Sequence, residues 1–222
     1  MSRESSNANV APSDMVESTF GERKARIADA GLFFKKFLAK GKQISSAVPS
    51  SPVMVANMVS YIDFTKPGTI VELGAGTGPV TEQILENLKP FHRFVVVEND
   101  PDFCEILRRR FPETTLLQAD AGRITEPLAN LGIHKVDYVL SGLPTPNLPR
   151  RAQAGILRWL RRSLAPEGLF IQLTVVPLLY RGFYRRIFEA VDYRMVWLNI
   201  PPGGVYCCGR PKGPSVRSDG GA

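Results

Sequence analysis

The sequence has 222 residues, 44% of them hydrophobic, with a formal net charge of +7. That length suits one domain of ordinary size with room for a short extra element, and the positive balance points to an anionic partner, nucleic acid or a membrane surface, without choosing between them. No run of eighteen apolar residues occurs, which excludes a membrane-spanning helix, and Cys104, Cys207 and Cys208 fall at no metal-ligand spacing, so no metal site is expected and the thiols read as reduced and structural.

Residues 1–22 are polar and carry no basic-then-apolar signal pattern; they read as a disordered leader. In the next segment, 23–47, the window RKARIADAGLFFKKFLAKGK holds seven Lys or Arg against one acid, Asp29. On a helical wheel Ile27, Ala30, Phe33, Phe34, Phe37 and Leu38 gather on one side, and Lys24, Lys35, Lys36 and Lys40 on the other. Such a helix can lie in a lipid interface, with Phe33, Phe34 and Phe37 buried and Lys35 and Lys36 facing anionic headgroups. It can equally pack on the domain's own core.

From residue 48 to 209 strand and helix patterns alternate. GTIVEL, FVVVE, TTLLQ, VDYVLS and LFIQLTVV are short branched-rich runs bounded by Gly, Pro or charge. PVTEQILENL, PDFCEILRRRF and PRRAQAGILRWLRRSL between them have helical apolar spacing. Strands buried on both faces and separated by helices predict an α/β fold with a parallel sheet. After a helix predicted around YRGFYRRIFEAV, YRMVWLNI and GVYCCG should pair as an antiparallel hairpin at the sheet edge. Residues 210–222 read as a disordered tail.

In Glu72-Leu73-Gly74-Ala75-Gly76-Thr77-Gly78 the glycines follow a strand and open a helix, where they allow a sharp turn and bring backbone amides close to a ligand. The spacing is not GxGxxG, and no GxxxxGK[ST] phosphate loop occurs. Glu98, beside Asn99, ends the second strand, where a carboxylate can take two ribose hydroxyls. Asp120, beside Ala121, follows the third strand and can accept from an adenine amino group. An adenosine cofactor without phosphates suits this set best, namely S-adenosylmethionine, with Glu72 near the methionine ammonium and S-adenosylhomocysteine as the product.

These motifs resemble the class I methyltransferases over roughly residues 48–209. The resemblance implies a seven-stranded Rossmann-like sheet with a terminal antiparallel hairpin and the cofactor above the first three strands. It also implies that the loop after the fourth strand, in VLSGLPTPNLPR, faces the reactive methyl group. Ser141, Gly142 and Leu143 then form the catalytic loop, Ser141 also touching the cofactor, and Pro144 faces the acceptor. Ribosomal RNA adenine dimethyltransferases have Asn-Leu-Pro-Tyr at this place, and the aromatic that would stack on a flipped base is missing here. SGLP with a second proline soon after is instead similar to bacterial phosphatidylethanolamine N-methyltransferases, as is the entry segment ISSAVPSSPVMVANM, positions 44–58.

That resemblance implies a cytoplasmic enzyme, peripheral on the inner face of the membrane, that methylates phosphatidylethanolamine and its partly methylated derivatives, giving phosphatidylcholine. Tyr180, after the fifth strand, is the candidate for an ammonium pocket and for catalysis, with Tyr206 a second substrate-binding candidate. Eight arginines against one acid, Glu167, between 150 and 186 offer a further surface for lipid phosphates. His92 and His134 lie on the wrong side of their strands for a base. An RNA adenine-N6 methyltransferase and a non-catalytic lipid-binding module remain as alternatives; RNA is disfavoured by the loop.

Overall fold

The computed structural model describes residues 51–174, 180–197 and 203–213. The predicted leader and the amphipathic segment, with Phe33, Phe34, Lys35, Lys36 and Phe37, lie outside the described residues, as does the tail from 214.

The described residues open with α1 (Pro52–Val59), which Ser51 caps by accepting from the Met54 N–H at 3.2 Å while Pro52 fills a position needing no donor. There follow β1 (Gly68–Leu73), α2 (Pro79–Leu85), β2 (His92–Glu98), α3 (Pro101–Arg110), β3 (Thr115–Gln118) and α4 (Thr125–Asn130). The second half holds β4 (Val136–Ser141), α5 (Arg150–Ser163), β5 (Leu164–Thr174), α6 (Arg181–Ile187), β6 (Phe188–Val196) and β7 (Gly203–Pro211). Short 3-10 turns at Ala121–Arg123 and Thr145–Asn147 follow β3 and β4.

The strands form one sheet in the order β3-β2-β1-β4-β5-β7-β6. The first five are parallel, and β7 runs antiparallel to both neighbours. Alternate side chains of each strand enter two cores. Val71, Leu73, Val95, Val97, Val139 and Phe170 pack against Leu128 of α4, Ile156, Trp159 and Leu160 of α5, and Tyr184 of α6. Ile70, Phe94, Val96, Leu140 and Ile171 pack on the other face against Met54 and Met58 of α1, Ile84 of α2 and Leu107 of α3. A sheet covered on both faces explains why its strands read as continuous apolar runs.

The predicted helix over 180–191 stops at Ile187, and β6 begins at Phe188 rather than Tyr193. From there inward and outward positions alternate along an edge strand, a period that an apolar count alone misses. Strand β5 starts five residues before the predicted LFIQLTVV, with a register irregularity between Val136 and Tyr138. Strand β7 extends two residues past 209. Beyond it Lys212 is clasped: its N–H donates to Ile187 O at 2.7 Å, Arg161 Nε donates to its carbonyl at 2.7 Å, and its ammonium donates to Arg185 O at 2.8 Å.

Candidate active site

Strand order reverses between β1 and β4, the place where open α/β sheets form a crevice beyond their strand ends. Leu73 and Ser141, the last residues of these strands, are register partners. Two loops therefore leave from adjacent points. Gly74 N–H donates to Val97 O at 2.8 Å, and Gly142 N–H donates to Leu73 O at 3.0 Å, so both are tied to the sheet at the first step.

In the first loop Gly74, Gly76 and Gly78 have φ of 72°, 57° and 86°. A Cβ at Gly74 would overlap the Leu143 side chain, and one at Gly142 would come within 2.8 Å of Gly74 O. The two loops thus touch through residues that only glycine can fill. Around Gly76, by contrast, a Cβ would meet nothing within 4 Å: the backbone faces open space. Arg110 at the end of α3 donates to Thr77 O, pairs with Glu82 at 2.9 Å and lies over the Phe111 ring, holding the far side of the loop.

Three acids surround this loop, each in a different state. Glu98 is buried, and its carboxylate accepts from Gly76 N–H at 2.9 Å, Asn99 N–H at 2.8 Å and Asp100 N–H at 2.9 Å. A carboxylate has about four acceptor sites, so room remains for a ligand hydroxyl. Glu72 is buried and accepts from Thr81 Oγ1 at 2.6 Å. Burial pushes its carboxyl up to about 8, with the Glu98 charge adding to the rise and the Thr81 bond opposing it. Asp120 is exposed and caps the 3-10 turn by accepting from Gly122 N–H at 2.8 Å. Only one of its oxygens makes that bond. Gly155 of α5 comes so close to Gly122 O that a Cβ would overlap it, which fixes Ala121 and the turn against the helix.

The second loop, Ser141 to Pro149, is braced from β5. Gln172 is the strand partner of Ser141 and is buried. Its Nε2 donates to Ser141 O at 3.0 Å, Leu143 O at 2.7 Å and Leu173 O at 2.8 Å, and its Oε1 accepts from Thr145 Oγ1 at 2.7 Å. Neither Gln172 nor Thr145 is a predicted site residue. The signal was available: a lone amide inside the apolar run LFIQLTVV must find partners when buried. Gln153 of α5 holds the loop's other end, donating to Pro146 O and Leu148 O at 3.0 and 2.7 Å. Ser141 is fully buried, yet its hydroxyl has no partner among the described residues.

Tyr180 lies at the start of α6 and donates to Asn147 Oδ1 at 2.9 Å, so it stands beside the second loop. Tyr206 does not present a free ring face. It is 1% exposed, with Tyr184 and Tyr193 ring centroids at 4.7 and 4.8 Å, and burial pushes its phenol up to about 12. It packs the core behind the site. The arginines of α5 and α6 are exposed, and none joins the three ion pairs among the described residues. His92 starts β2 and accepts from Lys89 N–H at 2.9 Å, far from the strand ends that carry the loops. The three cysteines are free and buried, and no cluster of metal-ligating side chains occurs among the described residues.

An adenosine linked to a cationic amino-acid chain suits this donor set. The open space at Gly76 admits backbone approach, Glu72 is a buried acid whose carboxyl burial pushes up, and the buried Ser141 hydroxyl has no partner among the described residues. The methyltransferase domain family matches residues 70–168. An ornithine lipid N-methyltransferase of Singulisphaera acidiphila is 40% identical over 81% of this chain and 95% of its own length. A ribosomal RNA small subunit methyltransferase A of Hydrogenobaculum is 30% identical over 40% of this chain and 32% of its own. Among solved structures, 1,6-didemethyltoxoflavin-N1-methyltransferase of Burkholderia thailandensis, with S-adenosylhomocysteine bound, shares the fold with a TM-score of 0.54, 15% identity and 94% of each chain covered. The chain belongs to the class I S-adenosylmethionine-dependent methyltransferases, with S-adenosylmethionine as methyl donor and S-adenosylhomocysteine as product.

Proposed function

We propose that this enzyme methylates the primary amine of a membrane lipid headgroup. The observation that carries the reading is the near full-length likeness to an ornithine lipid N-methyltransferase, combined with a proline-framed loop that lacks a base-stacking aromatic. RNA methyltransferase likeness, by contrast, spans only 40% of the chain. Phosphatidylethanolamine, methylated in successive rounds to phosphatidylcholine, is the acceptor suggested by SGLP. An ornithine headgroup is the second reading and is favoured by the likeness to the ornithine lipid N-methyltransferase. Both offer a primary amine on a short alkyl chain.

In this reading Glu98 takes the ribose hydroxyls, and Asn99, Asp120 and Ala121 frame the adenine. Glu72, Gly74, Ala75, Gly76, Thr77 and Gly78 hold the amino-acid end, with the Ser141 hydroxyl beside it. The bound donor supplies an electrophilic methyl group on a sulfonium. The amine must arrive without its extra proton, since a free alkylammonium has a pKa of roughly 10. Gly142, Leu143 and Pro144 then orient its lone pair, a task of positioning rather than acid–base chemistry. Transfer of that methyl group to the nitrogen would leave the sulfur as a neutral thioether, and the methylated ammonium would lose its proton to water. The Tyr180 ring lines the ammonium path.

The amphipathic segment 23–47 and the arginines of α5 and α6 bring the enzyme to an anionic membrane surface on the cytoplasmic side. No helix among the described residues is long and apolar enough to cross a membrane. The test is labelled methyl transfer to vesicles of phosphatidylethanolamine, to vesicles of ornithine lipid, and to total RNA. Label in either lipid supports the reading; label in RNA alone overturns it.

A further inference from the structure

We infer that Gln172 is the positioning residue of the acceptor loop, setting the direction of the Gly142 carbonyl against which the amine is held. This rests on reading residues 141–149 as the acceptor loop.

The loop's carbonyls are nearly all committed. Ser141 O accepts from Gln172, and Leu143 O accepts from both Gln172 and Thr145 N–H, the latter at 2.8 Å. Pro144 O accepts from Asn147 N–H at 2.7 Å, Thr145 O from Leu148 N–H at 3.4 Å, and Pro146 O and Leu148 O from Gln153. The Gly142 carbonyl has no partner among the described residues. It lies between the two carbonyls that Gln172 clamps, in the part of the loop that touches Gly74. An amide offers two N–H donors and a carbonyl oxygen, so one hydrogen here is shared between two acceptors. Gln172 spends all of this capacity on the loop and its own strand. Without it, Ser141 O loses its side-chain donor, Leu143 O keeps only the long contact from Thr145 Oγ1 at 3.5 Å beside the Thr145 N–H, and the peptide between residues 142 and 143 is freer to rock. A displacement of about 1 Å at such a point costs roughly a hundredfold in rate.

No other side chain substitutes for all these bonds. Methionine keeps the volume and drops every bond. Glutamate keeps one donor while protonated, and when ionised turns a charge on Leu143 O and Ser141 O; burial raises its pKa, so lowering pH restores part of the brace.

The test uses the full chain saturated with S-adenosylhomocysteine for hydrogen exchange, and vesicles of phosphatidylethanolamine or ornithine lipid for turnover. In Gln172→Met the Thr145 and Asn147 amides should exchange about tenfold faster, with the amides of 74–78 unchanged. Its kcat should fall roughly 30- to 100-fold, while KM and S-adenosylhomocysteine affinity stay within about threefold. The kcat of Gln172→Glu relative to the parent should recover as pH falls from about 9 to about 6. Thr145→Val, which leaves Gln172 in place and strips the hydroxyl contacts to Gln172 Oε1 and Leu143 O, should change loop exchange and kcat in the same direction by a smaller factor; it and the glutamate variant carry the test should the methionine variant not fold. Unchanged loop exchange with kcat within about threefold overturns the proposal. So does a parallel loss of cofactor affinity and protection across β1 and β2, which marks a merely structural residue. If the parent methylates neither lipid, the acceptor assignment falls, and the exchange measurement alone decides whether Gln172 holds this loop.

Discussion

The glycine loop and the acceptor loop leave the sheet from paired residues, Leu73 and Ser141, and are built on opposite principles. The first gets its shape by omission. Three residues at positive φ and one open face let a ligand lie against bare backbone, and Glu98 ties the loop to the end of β2 by accepting the Gly76 N–H on one oxygen and the Asn99 and Asp100 N–H groups on the other. The second gets its shape by occupation: prolines at 144, 146 and 149 restrict the backbone, and the amides of Gln172 and Gln153 fill the carbonyls. On the proposed reading, the loop that moulds itself to the cofactor is legible mainly in its own glycines, and the loop that aims the acceptor depends on the buried amides of other elements.

The comparison can be broken most directly at the first loop. Gly76→Val and Glu98→Ala should each lower S-adenosylhomocysteine affinity by more than about a hundredfold. In the first, a side chain at positive φ costs roughly 1–2 kcal/mol and fills the ligand's space. In the second, charge-assisted bonds of about 1.5–3 kcal/mol each are lost. Calorimetry reads both, and near-parental affinity in Glu98→Ala would remove that residue from the ribose role. Gly142→Ala asks whether the loops are separate at all. Its Cβ would press on Gly74 O, so cofactor affinity should drop about tenfold although the change lies in the acceptor loop. An unchanged affinity would show that the two loops move independently.

Glu72 sharpens the contrast through pH. Its carboxyl sits at about 8 in the ligand-free protein because it is buried, so it is largely protonated at neutral pH. A cationic cofactor end beside it favours the carboxylate, so binding near pH 7 should release close to one proton. Calorimetric enthalpies in phosphate and Tris should then differ, and converge above about pH 9.5 or in Glu72→Gln. The stability sign follows from the same shift. The folded value lies above the ordinary 4.5, so the ligand-free protein is relatively stabilised at low pH and loses that contribution as pH rises through about 8. Thermal melts of the glutamine variant should lack this slope. The smallest effect belongs to Tyr180→Phe, which deletes a solvent-exposed bond to Asn147 and keeps the ring: turnover should stay within about threefold, and a larger fall would give the hydroxyl a part in the chemistry.

What was legible follows the same division. GTIVEL and VDYVLS predict β1 and β4 to the residue, because strands covered on both faces announce themselves by composition. The glycines and Glu98 were legible because few residue types serve at a turn of positive φ or at a ring of backbone donors. The loop partners of Gln172 lie 27 to 31 residues away in sequence, and only the register of β4 on β5 brings them together, so its apolar run shows that it needs partners but not which. Tyr206 was misplaced for a related reason. Its side faces inward only because β7 is inserted between β5 and β6, an order that composition does not encode. The start of β6 was lost where an edge strand follows a helix with no intervening turn residue.

The antiparallel course of β7 has a practical consequence. Because it alone reverses direction, it carries the chain away from the mouth of the crevice, and Lys212 is pinned near the start of β6 by Ile187, Arg161 and Arg185. A fluorophore or affinity handle joined after residue 213 would therefore depart from the end of the sheet opposite both loops. Immobilised through that point on a sensor chip, the enzyme would present its donor and acceptor loops toward a flowing suspension of vesicles.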